Sequence, residues 1–484
     1  MKEIEPKILT KEEIERIPSE INEEELVEFD KHALNSFYEA LTAIEAKEPG
    51  SAWVKVVDRE GNVKEILDAT SMNWTLSLGF AHPDVNYAAY QQMIRLNHVR
   101  YNVLTPARAK LVNKIAELAP GKLKGGRVSL NNQGGGLANE AAIKLAMMAS
   151  RGADHFGVFW GGYHGTTLVM TTATQPMHGV NRFTSFGHEH FTRMPYPYCY
   201  RCMWNYKGGI SGKKDPSCNL ECFDLVENYI LGMAPKRFAG IMLEPIQAAG
   251  GQIPAPPEFL VKLKEVCEEE KVFLIYDECQ TSMWRCGKYF TITERYQKEL
   301  NMDVSPDMMT FTKGIGGGYP LGVLVASPKI KKRFGPSEEH TTFSSDPLSM
   351  ATSLAAIKVI EKAKYGENCE KMGNKITKRL FEMQEEYEEI GDIRGPGLFI
   401  GIEFVKNKET REPFTELSEE MILLAPKHNL YLGPSMPILT ATGKLRRRNV
   451  TKIKPPLVVT EEDTNFILEN FELTLKDALK KVKK

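Results

Sequence analysis

The chain has almost no excess charge: 62 Lys and Arg stand against 63 Asp and Glu over 484 residues, a formal net charge of −1. A surface so balanced has no field to draw in nucleic acid or an acidic membrane. No uninterrupted apolar run approaches the ~20 residues needed to cross a bilayer. The first residues, Met1-Lys2-Glu3-Ile4-Glu5-Pro6-Lys7, carry mixed charge and lack the apolar core of a signal peptide. Cysteine is scarce, 8 residues in all, which excludes a disulfide scaffold and makes a reducing compartment the expectation. Internal repeats and low-complexity segments are missing too. A cytoplasmic protein with neither nucleic-acid nor membrane partner is therefore expected. What is present is the composition of a globular protein, 42% hydrophobic and 26% charged. The length predicts one large domain with a smaller companion.

Residues 1 to about 30, rich in Glu, Lys and Ile, read as a solvated amphipathic arm. Trp53 to Asp58 and Val63 to Asp68 flank a turn at Arg59-Glu60-Gly61-Asn62 and predict a β-hairpin. Between about 125 and 330, short apolar strands end repeatedly in chemically loaded residues. Arg127–Leu130 runs into Asn131-Asn132-Gln133-Gly134-Gly135-Gly136 and an Ala-rich helix over 137–149. Phe156–Trp160 runs into Gly161-Gly162-Tyr163-His164-Gly165. Ala239–Leu243 runs into Glu244-Pro245-Ile246-Gln247, and Val272–Tyr276 into Asp277-Glu278-Cys279-Gln280. Helical patterns between them, such as 257–270, predict a mostly parallel α/β sheet. Ligands in such sheets sit outside the carboxyl ends of the strands, so these residues are expected to converge. After about 347 the periodicity turns helical (347–364 and 369–389). A hairpin-like stretch at 391–404, an extended run at 450–459 and a last helix suggest a smaller α+β domain.

The apolar run ending at Thr312-Lys313-Gly314, with Gly316-Gly317-Gly318 behind it, reads as strand, functional turn, strand. A lysine beside a bound ligand can lose its proton on desolvation and become a nucleophilic amine. Alone, Lys313 reads equally as a surface lysine before a β-turn. Gly134-Gly135-Gly136 ahead of a helix offers free N–H groups and a helix dipole to a phosphate, or is an ordinary strand-to-helix turn. Tyr163 presents a flat face for an aromatic ring, or is core. Asp277 closes an apolar run and wants a cationic partner, such as a pyridinium nitrogen. Gln280 is placed to hydrogen-bond a ring hydroxyl. Phosphate site, ring stacker, ring-nitrogen acid and Schiff-base lysine together describe pyridoxal 5′-phosphate, PLP.

Those residues lie in stretches that resemble the class III aminotransferases, PLP enzymes of fold type I, from about residue 65 to 475. The matching stretches are Asn139-Glu140-Ala141-Ala142, Tyr163-His164-Gly165, Glu244-Pro245-Ile246-Gln247, Asp277-Glu278-Cys279-Gln280-Thr281 and Arg285-Cys286-Gly287-Lys288. Lys313-Gly314, Gly317 to Gly322, Thr342-Phe343, Asp346-Pro347, Arg394-Gly395, Gly397-Leu398 and Pro455-Pro456-Leu457 follow in the family's order. The resemblance implies a seven-stranded, mostly parallel sheet with helices on both faces, plus a small α+β domain. It divides the chain into an arm and hairpin (1–75), a PLP-binding domain (76–346, with a Cys-rich insertion at about 195–225) and a small domain (347–484). It implies that Lys313 forms the Schiff base and then moves a proton between substrate and cofactor. By the same resemblance Asp277 keeps the ring nitrogen protonated, Tyr163 stacks on one ring face and Cys279 presses on the other. Gly135 and Gly136 take the phosphate, and His164, Glu244 and Gln280 border the cofactor. Thr342 looks like the residue that reaches the neighbouring subunit's phosphate, which implies a homodimer with shared sites. Trp74 is expected to line the substrate pocket.

The departures are informative. The family loop usually reads Ser-Gly-Ser/Thr-Glu-Ala-Asn, where this chain has Gly134-Gly135-Gly136-Leu137-Ala138-Asn139, so phosphate binding would lean on main-chain donors. Ala249 stands where members accepting 2-oxoglutarate usually carry a gating Glu. Lys452, three residues before Pro455, replaces the arginine that binds the substrate's carboxylate; it keeps the charge and loses the bidentate fork. The resemblance implies an aminotransferase moving an amino group from an amine or amino acid to a keto acid such as pyruvate or 2-oxoglutarate. Alternatives on the same scaffold are an amino-acid racemase or epimerase, an ammonia- or phospho-lyase, and a non-catalytic PLP-binding paralogue. Cys199, Cys202, Cys218 and Cys222 form two short pairs whose spacing suits either a structural metal or reduced thiols in an insertion. No metal is assigned.

Overall fold

The computed structural model describes residues 7–17, 28–29, 32, 41–58, 61–150, 152–174, 187–232, 238–344, 346–439, 445–446 and 448–483. Of the expected arm, the short helix Lys11–Arg16 is described, while most of residues 1–40 and Arg59-Glu60 of the hairpin turn lie outside the described residues.

The central sheet has seven strands in the order Arg127–Asn132, Gly322–Ala326, Met308–Phe311, Phe273–Asp277, Phe238–Leu243, His155–Phe159, Phe191–Met194. Gly322–Ala326 is antiparallel to both neighbours and the other pairings are parallel, so six strands point the same way. This bears out the mostly parallel sheet. Alternation along each strand divides its side chains between two helical layers. Met242, Ile275, Met308 and Leu324 pack with Ala141, Ala142, Leu145 and Ala146 of the helix Gly135–Ala149. Ile241, Leu243, Leu274 and Tyr276 pack on the opposite face with Phe259, Leu260 and Leu263 of the helix Pro257–Glu269. Each fully buried Leu, Ile or Phe adds about 1.5–3 kcal/mol of transfer free energy. Both layers are needed because these strands are apolar on both faces.

A second, antiparallel sheet runs Ile390–Arg394, Ile400–Phe404, Val450–Ile453, Gly433–Pro434. The hairpin Trp53–Asp58/Val63–Asp68 forms as expected and pairs on one side with Leu41–Ala46, on the other with Leu430–Tyr431. Residues far apart in the chain are thus joined beside the central sheet. The Cys-rich insertion is clamped to the second sheet by buried charge. Arg201 Nε meets Glu403 Oε1 at 2.6 Å, Arg394 Nη1 meets Asp392 Oδ2 at 2.9 Å and Glu403 Oε2 at 2.6 Å, and Ser211 N donates to Asp392 Oδ1 at 2.7 Å.

Between the hairpin and the next helix the backbone winds left-handed. Ser71, Met72, Asn73 and Trp74 have φ of +52°, +44°, +61° and +75°. For L-residues this costs roughly 1–2 kcal/mol each, so surrounding contacts must hold it. The buried Asp68 accepts from Thr70 N at 2.8 Å and Met72 N at 2.7 Å. Ser71 Oγ donates to Lys454 O at 2.7 Å and receives Arg285 Nη2 at 3.0 Å.

Candidate active site

The site forms where Phe273–Asp277 and Met308–Phe311 end side by side. Register pairs Asp277 with Thr310, and Glu278 N continues the ladder by donating to Thr310 O at 2.8 Å. Asp277 is buried and both of its carboxylate oxygens are engaged. Oδ2 accepts from Asn139 Nδ2 at 2.8 Å and lies 3.0 Å from His164 Nδ1, while Oδ1 accepts from Cys279 N at 3.0 Å. Burial pushes this carboxyl up, but His164 and the Cys279 N–H outweigh it and hold the group below its usual range. Asn139 is itself fixed by donating to His164 O at 2.9 Å.

Glu244 follows the next strand. Its Oε1 accepts from Tyr163 N at 2.9 Å and Oε2 from Ala248 N at 3.0 Å, tying the Tyr163 loop to this strand end. Burial, then the charge of Asp277, raise Glu244 to about 7 against the opposing pull of His164 and the two N–H groups. Tyr163 is half-buried and His164 is buried.

Lys313 opens a 3₁₀ turn (Lys313–Gly316) in the left-handed region, φ +58°. Among the described residues its Nζ makes no hydrogen bond or ion pair. The Cys279 thiol lies within its field; burial and then Asp277 drive that thiol well above its ordinary pKa, so it stays protonated. Gly135 starts its helix against the same residues: a Cβ there would stand 3.0 Å from Cys279 Sγ and 3.1 Å from Thr312 Cγ2. Gly136 lies equally close to Gly165, where a Cβ on Gly165 would meet Gly136 Cα at 2.6 Å. The helix start carries no side-chain cap, which leaves its first N–H groups for an anion.

Lys452 lies in the second sheet between Gly401 and Gly433, its register partners on either side. Burial lowers its amine to about 8, Glu244 opposing and Lys313 adding to the fall. Lys454, which the sequence did not single out, donates through Nζ to Gln280 Oε1 at 3.2 Å. The structure thus gathers Lys313, Asp277, Cys279, Gln280, Tyr163, His164, Glu244, Gly135, Gly136 and Lys452.

Two of the expected residues are not part of that cluster. Trp74 does not line the substrate pocket: it is 0% exposed, with the Arg285 guanidinium 3.2 Å from its ring centroid and its ring against the Gly314 backbone. An aromatic at a loop start was read as pocket wall, whereas the left-handed turn drives it into the core. Thr342 is exposed in an open cleft of about 470 Å³ with His98, Arg100, Tyr101 and His340. Cys199, Cys202, Cys218 and Cys222 are free thiols, and among the described residues no group of three or more His, Cys, Asp or Glu is placed to hold a metal. Asn139 was quoted only as part of a motif; a lone amide among the buried alanines of its helix was the available signal.

This architecture is fold type I of the PLP-dependent transferases. The same fold occurs in an aminotransferase from Bacillus anthracis (TM-score 0.78, 24% identity, 97% of this chain and 100% of that one). A PMP-bound aminotransferase from Vibrio fluvialis is alike (TM-score 0.78, 21% identity, 93% and 97%). The chain belongs to the class-III aminotransferase family, whose model matches residues 36–475. It is 30% identical over 436 residues to alanine–glyoxylate aminotransferase 2 of Pongo abelii, covering 86% of this chain and 79% of that one. It is 28% identical over 443 residues to a leucine/methionine racemase of Thermococcus litoralis, covering 91% of each. Class III aminotransferases are PLP-dependent enzymes, and this chain is an enzyme of that class.

Proposed function

We propose that the chain transfers an amino group from an amine or amino acid to a keto acid at a PLP held by Lys313 and Asp277. The observation that carries this reading is the pairing of a buried, negatively charged Asp277 with an unengaged Lys313 amine on adjacent strand ends. The residues fit the cofactor. Asp277 keeps an acceptor site beyond its three hydrogen bonds and suits a protonated ring nitrogen. The uncapped helix start at Gly135 and Gly136, pressed against Cys279 and Gly165, suits the phosphate. PLP supplies an electron sink for the substrate's Cα–H bond. Lys313 would bind the aldehyde and carry the proton; Asp277 would fix the ring charge; Tyr163 and Cys279 would border the ring; His164 and Glu244 would hold these side chains in register; and Gln280 would serve the ring hydroxyl.

The proposal includes the division into residues 1–75, 76–346 and 347–484, a cytoplasmic setting and a homodimer with shared sites. The dimer reading is supported by apolar exposure around the Thr342 cleft. Phe343 is 56% and Leu104 70% exposed, and the 98–101 segment stacks on this loop through His98–Phe343 and Tyr101–His340. Among the described residues no helix is long and apolar enough to cross a membrane.

Borohydride reduction of the PLP-saturated protein should leave the cofactor bonded to the peptide carrying Lys313, with none in Lys313→Ala. A label elsewhere would end the reading. Racemisation is the second reading, favoured by the racemase relative. Amino donor alone should convert the cofactor to its amine form in an aminotransferase, while a racemase returns the aldehyde.

A further inference from the structure

A glutamine amide has two faces, an oxygen that accepts and an NH2 that donates. Which of them Gln280 turns to a ring hydroxyl decides whether that ring oxygen is met by an acceptor or by a donor. Lys454 makes the choice. Its Nζ donates to Gln280 Oε1 at 3.2 Å, and an amine has N–H to give whether charged or neutral. Among the described residues the Gln280 side chain makes no other hydrogen bond, so its NH2 is left over. Lys454 is 2% exposed and, among the described residues, forms no ion pair, which leaves the amide oxygen as the acceptor its buried amine requires. Both backbones are fixed. Lys454 N donates to Ala69 O at 2.8 Å, its O accepts from Ser71 Oγ at 2.7 Å, and the next carbonyl, Pro455 O, accepts from Arg285 Nη1 at 2.6 Å. Gln280 lies in the turn after Asp277, where Thr281 N and Ser282 N donate to Glu278 O at 3.2 and 3.1 Å. The buried Glu278 side chain accepts in turn from Ile292 N at 2.8 Å and Thr293 N at 3.0 Å. With both chains held, the half-buried amide keeps one orientation.

We propose that Lys454 is a positioning residue for Gln280: by holding Oε1 it turns the amide's NH2 toward the ring hydroxyl of PLP, so that this oxygen is met by a donor and held as an anion. This role rests on the PLP reading above and reaches the cofactor through Gln280 alone. An anionic ring oxygen attracts the proton on the nitrogen that Lys313 contributes to the cofactor bond. A second donor on the same oxygen draws off part of its charge, so the nitrogen gives up its proton at lower pH.

The visible absorption of the PLP-loaded protein, followed against pH, reads the pKa of that nitrogen. Lys454→Met should raise it by about half a unit or more, as expected for losing one hydrogen bond, and Gln280→Ala should raise it too. Lys454→Gln, one bond shorter than lysine and out of reach of the amide, should follow Lys454→Met and replaces it if that variant does not fold. The double variant decides. On a Gln280→Ala background, Lys454→Met should add less than about 0.3 of a unit, because the two residues act through one contact. Asp68, Asp277, His164, Glu244, Cys279, Arg285 and Lys452 are common to all these proteins, so the differences belong to positions 280 and 454. An unmoved pKa in Lys454→Met makes the lysine merely structural, and an equal rise on both backgrounds makes it a bare charge; either overturns the proposal. Borohydride trapping at Lys313 reports on the PLP reading separately, so a trapped cofactor with an unmoved pKa rejects the role of Lys454 alone.

Discussion

The two ends of the site differ in how completely their charges are matched. At the Asp277 end both carboxylate oxygens are engaged, with Asn139, His164 and the Cys279 N–H converging on one residue. At the Lys452 end the amines are buried, and among the described residues a single amide oxygen is their hydrogen-bond partner. A satisfied network is rigid and suits a cofactor that stays in place. An unsatisfied one stores the free energy that a visiting anion releases, and suits a substrate that comes and goes.

The comparison is broken most severely at Lys313. Lys313→Ala should lose the covalent cofactor bond and lower turnover by ~10³-fold or more while the protein folds, measured by mass spectrometry and steady-state rates. At the matched end, Asp277→Ala strands buried His164 and Asn139. It should cost about 3 kcal/mol in denaturant unfolding and weaken cofactor binding by ~10²-fold.

At the unmatched end the expected signature is in pH. The unfolded chain holds a proton on Lys452 up to the ordinary lysine range, while the folded chain releases it near 8. The burial penalty is therefore complete below about pH 8 and fades as pH rises toward 10, so stability rises by up to ~2–3 kcal/mol across that window. Lys452→Met should flatten the rise; parallel melting curves for the two proteins would rule the depressed amine out. The smallest effect belongs to Thr342→Ala, which should weaken PLP by about threefold and leave the sedimentation coefficient of a dimer unaltered.

The strands were legible because each apolar run stops at a polar residue, and the observed ends at Asp277, Leu243 and Phe311 fall within a residue of the expected ones. The helix beginning at Gly135 rather than Leu137 shows glycines serving as its first turn, a choice that local propensity disfavours and the close approach to Cys279 demands. Lys313 and Asp277 were readable from local pattern combined with family order. The roles of Lys454 and Arg285 were not, because their partners come from distant segments: Lys454 reaches Gln280 across 174 positions and Arg285 reaches Pro455 across 170. Trp74 was misplaced for the same reason. Whether an aromatic faces a cavity or the core depends on neighbours that periodicity does not reveal.

The reversed turn at Ser71–Trp74 bears on how the molecule is made. Ser71 finds its acceptor 383 positions later and its guanidinium donor 214 positions later, and the local hold of Asp68 on Thr70 and Met72 must be joined by these contacts to keep four left-handed residues in place. Loops this long close slowly, and closure here waits until the segment carrying Lys454 has left the ribosome. Nascent or truncated chains should therefore carry an unformed floor beneath Gly314. Vitamin capture would then be a late event in biogenesis, and cofactor retention a sensitive gauge of whether synthesis ran past Lys454.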